Sequence, residues 1–209
     1  MNWQLKYPDY LLIPSTDSKT HFFGGNQSWF SRYWQKEAGC GPTCAATILS
    51  YLSRSKPEFE NLYQYDHYNR KAFIKHMDQV YRYVTPGIWG IHKTHVFING
   101  VLDYAASLGF HLIVHSLILH PKTLNERSTD TLLSFVEEAF NCDSPIAFLN
   151  LDVGEAKRLQ PWHWITITRV YLEDGQVMAD ASDEGVKRTF NLGLWYLTAK
   201  KHGGLIYFS

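Results

Sequence analysis

Residues 38–53 read AGCGPTCAATILSYLS, and this stretch decides how the chain is expected to fold. From Pro42 onward it is apolar on nearly every face, which predicts a buried helix over 42–53. Pro42 suits the first turn of that helix, because its missing N–H needs no partner there. Cys40 is therefore expected just before the N-terminus of a central helix.

Apolar stripes with helical spacing predict further helices in the first two thirds of the chain. These are expected at 70–84, 96–108 and 130–140, with one strand at 111–119. Beyond Pro145 the apolar segments are short and several alternate, as is typical of a half-buried antiparallel sheet. The strands are expected at 146–151, 163–170, 177–181, 187–191 and 205–208, with a hairpin turn at 173–175.

The order of these elements, with helices first and strands later, favours an α+β fold over a repeated βαβ unit. The expected architecture is a helical N-terminal part whose buried helix packs against a C-terminal antiparallel sheet. No internal repeat or long linker interrupts the chain, so residues 1–209 are expected to form one domain.

Composition argues against several classes of partner. Lys plus Arg and Asp plus Glu both number 20, and no basic run is present, which disfavours nucleic acid. The longest apolar stretch, 109–119, is too short to span a membrane. The first 16 residues lack a secretory core, and three cysteines do not make a disulfide framework. A cytoplasmic, reduced protein without membrane partners is expected.

Cys40 is the candidate nucleophile. The helix that follows it favours negative charge at its N-terminus, which stabilises a thiolate. Gly39 and Gly41 are expected to let a substrate carbonyl approach the sulfur, with the Cys40 N–H free to donate to an oxyanion. Cys44, one turn inside the apolar helix, is expected to be a small buried hydrophobe. Cys142 is expected to be a bystander.

His163 is the candidate base for this thiol. It opens a predicted strand and shares a face with apolar residues, where a lone histidine is more often part of the core. A cysteine at a helix N-terminus elsewhere in the chain favours catalysis instead, since a thiol nucleophile needs an adjacent base. Trp162 and Trp89 are candidate substrate contacts, the latter in segment 85–94, a candidate lid or substrate wall.

An acceptor for the second imidazole nitrogen is expected on the strand after the hairpin, beside the His163 strand. Asp180 and Ser182 point to one face of that strand and Asp183 to the other. A carboxylate or hydroxyl there would fix the tautomer of the imidazole, as the third member of a triad does. Asp180 is preferred because it would also stabilise the imidazolium, with Ser182 and Asp183 as alternatives.

Two motifs, Gly-Cys-Gly-Pro at 39–42 and His-Trp-Ile-Thr-Ile at 163–167, resemble those of the papain-like cysteine peptidase superfamily. The chain is most similar to a bacterial branch with the leader-peptide proteases of bacteriocin-exporting ABC transporters and related free-standing proteins. Further stretches that are similar to this branch lie at 24–30, 83–86, 90–91 and 145–151. Together these stretches span roughly residues 22–186.

The resemblance implies a papain-like fold and a Cys-His-Asp/Asn triad. His163 follows Cys40 at close to the roughly 130–150 residues of papain-type enzymes. The resemblance also implies an upstream glutamine that donates to the oxyanion. Gln35 has the usual short spacing, whereas Gln27 lies in a stretch similar to this branch and is preferred. The family's Asn-Ser-Trp-Gly pattern would fall on 182–185, where the asparagine is missing.

The leading expectation is a thiol-dependent hydrolase, a cysteine peptidase or amidase that acts on a peptide or small amide without a cofactor. Acyl or amide transfer on the same residues stays open. A non-catalytic papain-like binding module stays open too, and the missing asparagine favours it. A metal site is disfavoured, because His92 and His95 lack a Cys or Glu at ligand spacing.

Overall fold

The protein has an α+β architecture in the computed structural model, which describes residues 1–15 and 19–209. Its helices are α1 (Tyr33–Ala38), α2 (Cys40–Ser55), α3 (Arg70–Tyr81), α4 (Thr94–Ser107), α5 (Thr129–Asn141) and α6 (Leu192–Thr198). Its strands are β1 (Asn2–Gln4), β2 (Leu12–Pro14), β3 (His21–Phe23), β4 (Val114–Leu119), β5 (Ile146–Asn150), β6 (His163–Glu173), β7 (Gln176–Asp183), β8 (Val186–Asn191) and β9 (Gly203–Phe208). The predicted α+β class is confirmed.

Among the described residues, seven strands form one antiparallel sheet in the order β4-β9-β5-β6-β7-β8. The seventh, β1, pairs with the second half of β6, along the edge that β5 occupies in the first half. β2 and β3 form a separate hairpin. The turn between β6 and β7 places Asp174 and Gly175 at positive φ, as a tight two-residue hairpin requires. The predicted hairpin turn is therefore confirmed.

The predicted buried helix, α2, packs against one face of this sheet and is buried from Gly41 to Ser53. Leu149 of β5 and Trp164 of β6 lie in the same apolar cluster as α2, α3 and α4. Their neighbours Phe148 and Ile165 point to the other face, where they pack under α5 and α6. Because both faces are covered, β5 is apolar along almost its whole length rather than alternating.

Two features are absent from the part of the chain that the structure describes. None of its helices has the length and apolar character that crossing a bilayer requires. Nowhere in it do three or more His, Cys, Asp or Glu side chains converge in a way that could hold a metal ion.

A buried histidine joins α3 to α2. His76 is fully buried, and its Nε2 lies 3.2 Å from the carbonyl oxygen of Ala46. The hydroxyl of Tyr104 on α4 lies 3.5 Å from its Nδ1. Burial lowers the pKa of His76 to about 3, against the ordinary 6.5, although the bond to Ala46 opposes this shift. The ring is therefore neutral in the folded protein at neutral pH.

We predict that acid destabilises the fold through His76. Between pH 6.5 and about 3 the unfolded chain binds a proton here that the folded chain does not, so stability falls as pH drops through this window. One such proton corresponds to a slope of about 1.4 kcal/mol per pH unit. Urea unfolding from pH 7 to pH 4 should show a smaller slope for His76→Gln than for wild type. His67→Gln, at an exposed position, should keep the wild-type slope; equal slopes in all three proteins would contradict the prediction.

Candidate active site

Cys40 is the first residue of α2, two residues earlier than the predicted start of this helix. The first turn closes when the N–H of Thr43 donates to the carbonyl of Gly39 at 3.0 Å. The N–H groups of this first turn have no partner within the helix, and the helix dipole adds positive potential at the same end. A thiolate on the half-buried Cys40 is favoured in this position.

The two glycines that flank Cys40 are required by packing, a role that the sequence did not indicate. A Cβ on Gly39 would lie 2.1 Å from the carbonyl oxygen of Gln35, and one on Gly41 would lie 2.9 Å from Cδ1 of Ile91. Both glycines are buried. Close approach of the neighbouring segments therefore explains them, whether or not they also leave space for a substrate.

His163 opens β6 and is buried, with Nε2 2.8 Å from Oδ1 of Asp183 at the end of β7. The other oxygen of Asp183 lies 2.8 Å from Nε of Arg188. Burial opposes charge on His163, but hydrogen bonds to Asp183 and Cys40 outweigh it and raise the pKa of His163 to about 10. Since Asp183 occupies Nε2, Nδ1 is the nitrogen that serves the thiol. This arrangement favours an imidazolium beside a thiolate.

The sequence-based preference for Asp180 as the acceptor was wrong. Asp180 pairs with Arg169 across the β6–β7 ladder, six residues beyond His163, or roughly 20 Å along a strand. Its buried carboxylate lies 2.8 Å from Nζ of Lys187 and accepts from the hydroxyl of Thr189 at 2.7 Å. Cross-strand neighbours therefore satisfy Asp180, and it plays no part at the histidine.

Strand alternation explains why Asp183 reaches the histidine. His163 shares the face of β6 on which Ile165 packs under α5 and α6. Asp183 continues the apolar face of β7 that points into the same cluster, which consists of Val177, Ala179 and Ala181. The hydroxyl of Ser182, on the opposite face, donates to the carbonyl of Phe23 at 2.6 Å. The apolar face of β7 was the pattern in the sequence that could have identified Asp183.

Gln27 lines the pocket that Cys40 and His163 share, and Gln35 does not. Gln35 accepts the backbone N–H of Arg32 at 3.3 Å and so caps α1. One amide N–H of Gln27 donates to the carbonyl of residue 36 at 2.8 Å, which leaves the second N–H for a ligand. Its side-chain oxygen is buried without a hydrogen-bond partner in the described part of the chain. The structure thus brings the preferred glutamine to the candidate nucleophile.

The segment before Gln27 is held between α2 and the β7–β8 turn. The N–H of Gly25 donates to the hydroxyl of Thr47 at 3.1 Å, and the amide of Asn26 donates to the carbonyl of Glu184 at 2.7 Å. A Cβ on Gly25 would lie 2.8 Å from the ring of Phe73, so only glycine passes between these elements. The segment therefore fixes Gln27 relative to both Cys40 and Asp183.

Cys44 shows the opposite environment on the same helix. Its Sγ donates to the carbonyl of Ile165 and accepts from the hydroxyl of Thr166, each at 3.3 Å. Burial raises the pKa of the Cys44 thiol to about 12, so it stays protonated. The prediction of a small buried residue at Cys44 agrees with this environment. Cys142, half-buried at the C-terminal end of α5, lies outside the pocket of Cys40.

A cleft of about 240 Å³ also opens at Cys40 and has aromatic walls. Trp34 of α1 and the two sequence-predicted substrate contacts, Trp89 and Trp162, line it. Trp162 lies at φ +59, a left-handed conformation that is uncommon for so large a side chain. Sequence reasoning missed Trp34, because α1 is too short to give a periodic pattern.

The site is thus built from an α2 thiol, a β6 imidazole, a β7 carboxylate and an upstream amide. Comparisons of the chain with protein-family models, curated proteins and solved structures found no match. The geometry and the sequence motifs therefore carry the functional argument on their own.

We predict that Asp183, and not Asp180, controls the protonation of His163. Asp183→Asn removes the negative charge at Nε2 and should lower the pKa of His163 from about 10 by about 1–3 units. NMR titration of the His163 ring reports this shift, and iodoacetamide alkylation of Cys40 at pH 6 should slow in parallel. Asp180→Asn, a matched loss of one buried carboxylate charge, should leave both quantities unchanged. The reverse pattern would restore Asp180 as the acceptor.

Proposed function

We propose that this protein is a thiol-dependent hydrolase of papain-like type, a cysteine peptidase or amidase. The observation that carries the proposal is the arrangement of Cys40, His163 and Asp183. A thiol at a helix N-terminus shares a pocket with an imidazole whose pKa is raised to about 10 and whose Nε2 lies 2.8 Å from a carboxylate. No other cysteine among the described residues has a histidine partner of this kind.

In the proposed reaction, His163 holds the proton of Cys40 and the thiolate attacks the substrate carbonyl carbon. The carbonyl π electrons move to the oxygen, which accepts N–H donors from Gln27 and the Cys40 backbone. His163 then gives its proton to the leaving amine or alkoxide as the carbon–heteroatom bond breaks, and a thioester remains. Water attacks the thioester while His163 takes its proton. The carboxylic acid leaves and the thiol is restored.

Asp183 acts through His163 and is a positioning residue in this scheme. The papain-like pattern has an asparagine as acceptor, and its absence from 182–185 favoured a non-catalytic binding module. A carboxylate at 183 accepts the same ring hydrogen and also stabilises the imidazolium. The missing asparagine therefore does not count against catalysis.

The fold supports a papain-like assignment through the placement of these groups. The nucleophile begins a buried helix, and the base and its acceptor lie on neighbouring antiparallel strands against which that helix packs. The sequence motifs at 39–42 and 163–167 supply exactly the two reacting residues. The three cysteines are free thiols, which suits a reducing compartment, and we propose a cytoplasmic location on this ground.

The first test compares alkylation of the three cysteines by iodoacetamide from pH 5 to pH 9, read by mass spectrometry. Cys40 should react fastest below pH 7, and Cys44 should be protected, because burial keeps it protonated. His163→Ala should remove the advantage of Cys40 at low pH. Identical rate–pH profiles for Cys40 in wild type and His163→Ala would show that no thiolate–imidazolium pair exists.

The second test measures hydrolysis of a library of fluorogenic peptidyl amides. Cys40→Ala should abolish turnover, and Gln27→Ala should lower kcat by about 10²–10³-fold with little change in KM, because the oxyanion forms only after attack. Gln35→Ala removes the same side chain from the cap of α1 and serves as the matched control. Equal losses of kcat in the two glutamine variants would reject Gln27 as an oxyanion donor.

A further inference from the structure

The cleft beside Cys40 contains a negative charge that the proposed reaction does not use. Glu37 lines this cleft of about 240 Å³, three residues after Trp34 and therefore on the same face of α1. The ion pairs among the described residues do not include Glu37. Apart from Cys40, it is the only ionisable side chain among the described residues that line the cleft.

The other walls are indole rings that the fold leaves exposed. Trp34, Trp89 and Trp162 are 44 %, 76 % and 51 % exposed, and Ile88 beside them is 84 % exposed. Exposed aromatic groups gathered at one concave site are typical of binding surfaces. Indole faces attract cations as well as alkyl chains. The Nζ of Lys201 already lies 5.7 Å from the ring centroid of Trp162.

The backbone holds two of these indoles in place at a cost. Trp162 adopts φ +59 next to His163, and such strain in a large residue is kept where function requires it. Trp89 lies at the tip of a tight turn in which the N–H of Gly90 donates to the carbonyl of Gly87 at 3.0 Å. The indole N–H of Trp164 anchors this segment by donating to the carbonyl of Ile91 at 2.7 Å.

We propose that this cleft binds an arginine side chain of the substrate, with its alkyl stem and guanidinium plane on the indoles and its charge beside Glu37. An occupant that is only apolar would strip water from the Glu37 carboxylate without replacing it, whereas a guanidinium pairs with it. Planar guanidinium groups also stack on indole rings better than ammonium groups do. The inference rests on the proposed function, because the cleft opens at the nucleophile and so selects the residues near the scissile bond.

Binding to Cys40→Ala protein, which cannot turn over substrate, tests the proposal. The probes are alanine heptapeptides in which one arginine, or its uncharged isostere citrulline, is moved along the chain. For at least one position, titration calorimetry should show about 5–10-fold tighter binding of the arginine peptide. Adding Glu37→Gln should abolish this preference. Adding Glu137→Gln, on the exposed face of α5, should preserve it.

Trp162→Gly separates a binding role from a structural one. Glycine adopts φ +59 without strain, so the variant should be at least as stable as wild type in urea unfolding. It should nevertheless bind the arginine peptide several-fold more weakly, because one wall of the cleft is gone. A variant with unchanged affinity would remove Trp162 from the site and contradict the proposed stacking.

The outcomes separate this inference from the proposed function. Arginine-selective binding that depends on Glu37, together with no hydrolysis by wild type, supports the cleft and rejects the hydrolase. Hydrolysis by wild type with equal binding of arginine and citrulline peptides at every position keeps the hydrolase and overturns the cleft. A preference for arginine that Glu37→Gln leaves intact also overturns it.

Discussion

The register between β6 and β7 is the constraint on which the site depends. It brings Asp183 to within 2.8 Å of His163, although the two strands shift by one residue between Ile167 and Arg169. Side chains alternate between faces, so a slip of one further residue would turn Asp183 away from the histidine. The turns at 174–175 and 184–185 fix the register from both ends of β7, since their residues all adopt the positive φ of tight hairpins. Backbone geometry far from the thiol thus decides whether His163 has an acceptor.

Environment, rather than residue type, then divides the chemistry among identical side chains. Cys40 and Cys44 lie one turn apart on α2, yet only Cys44 is fully enclosed, with its pKa raised to about 12. The same contrast separates two buried histidines. Burial without a charged partner lowers the pKa of His76 to about 3, whereas partners at both nitrogens of His163 raise its pKa to about 10. Burial favours the neutral form in both, and only a nearby charge reverses that preference.

The sequence predicted the elements whose length and burial leave a periodic trace. α2 to α5 and β4 to β9 are long enough for this, but the six residues of α1 and the three of β1 are not. α6 was missed because it follows β8 directly, with Asn191 as its N-cap. At the site, Cys40 and His163 could be predicted from local chemistry. The acceptor could not be chosen correctly without the β7 register, and Gln27 could be separated from Gln35 only by seeing which of them caps a helix.

Energetically unfavourable features gather around Cys40. Buried polar atoms without partners among the described residues include the Gln27 oxygen and the Thr43 hydroxyl, both on residues that line the pocket of Cys40. The strained Trp162 and the unpaired Glu37 line the cleft on which the same thiol opens. Elsewhere the fold satisfies comparable groups: the buried carboxylate of residue 143 accepts both a backbone N–H and the Tyr51 hydroxyl. A chain that meets these needs in its core but leaves them unmet at one concave site is arranged to have a ligand meet them there.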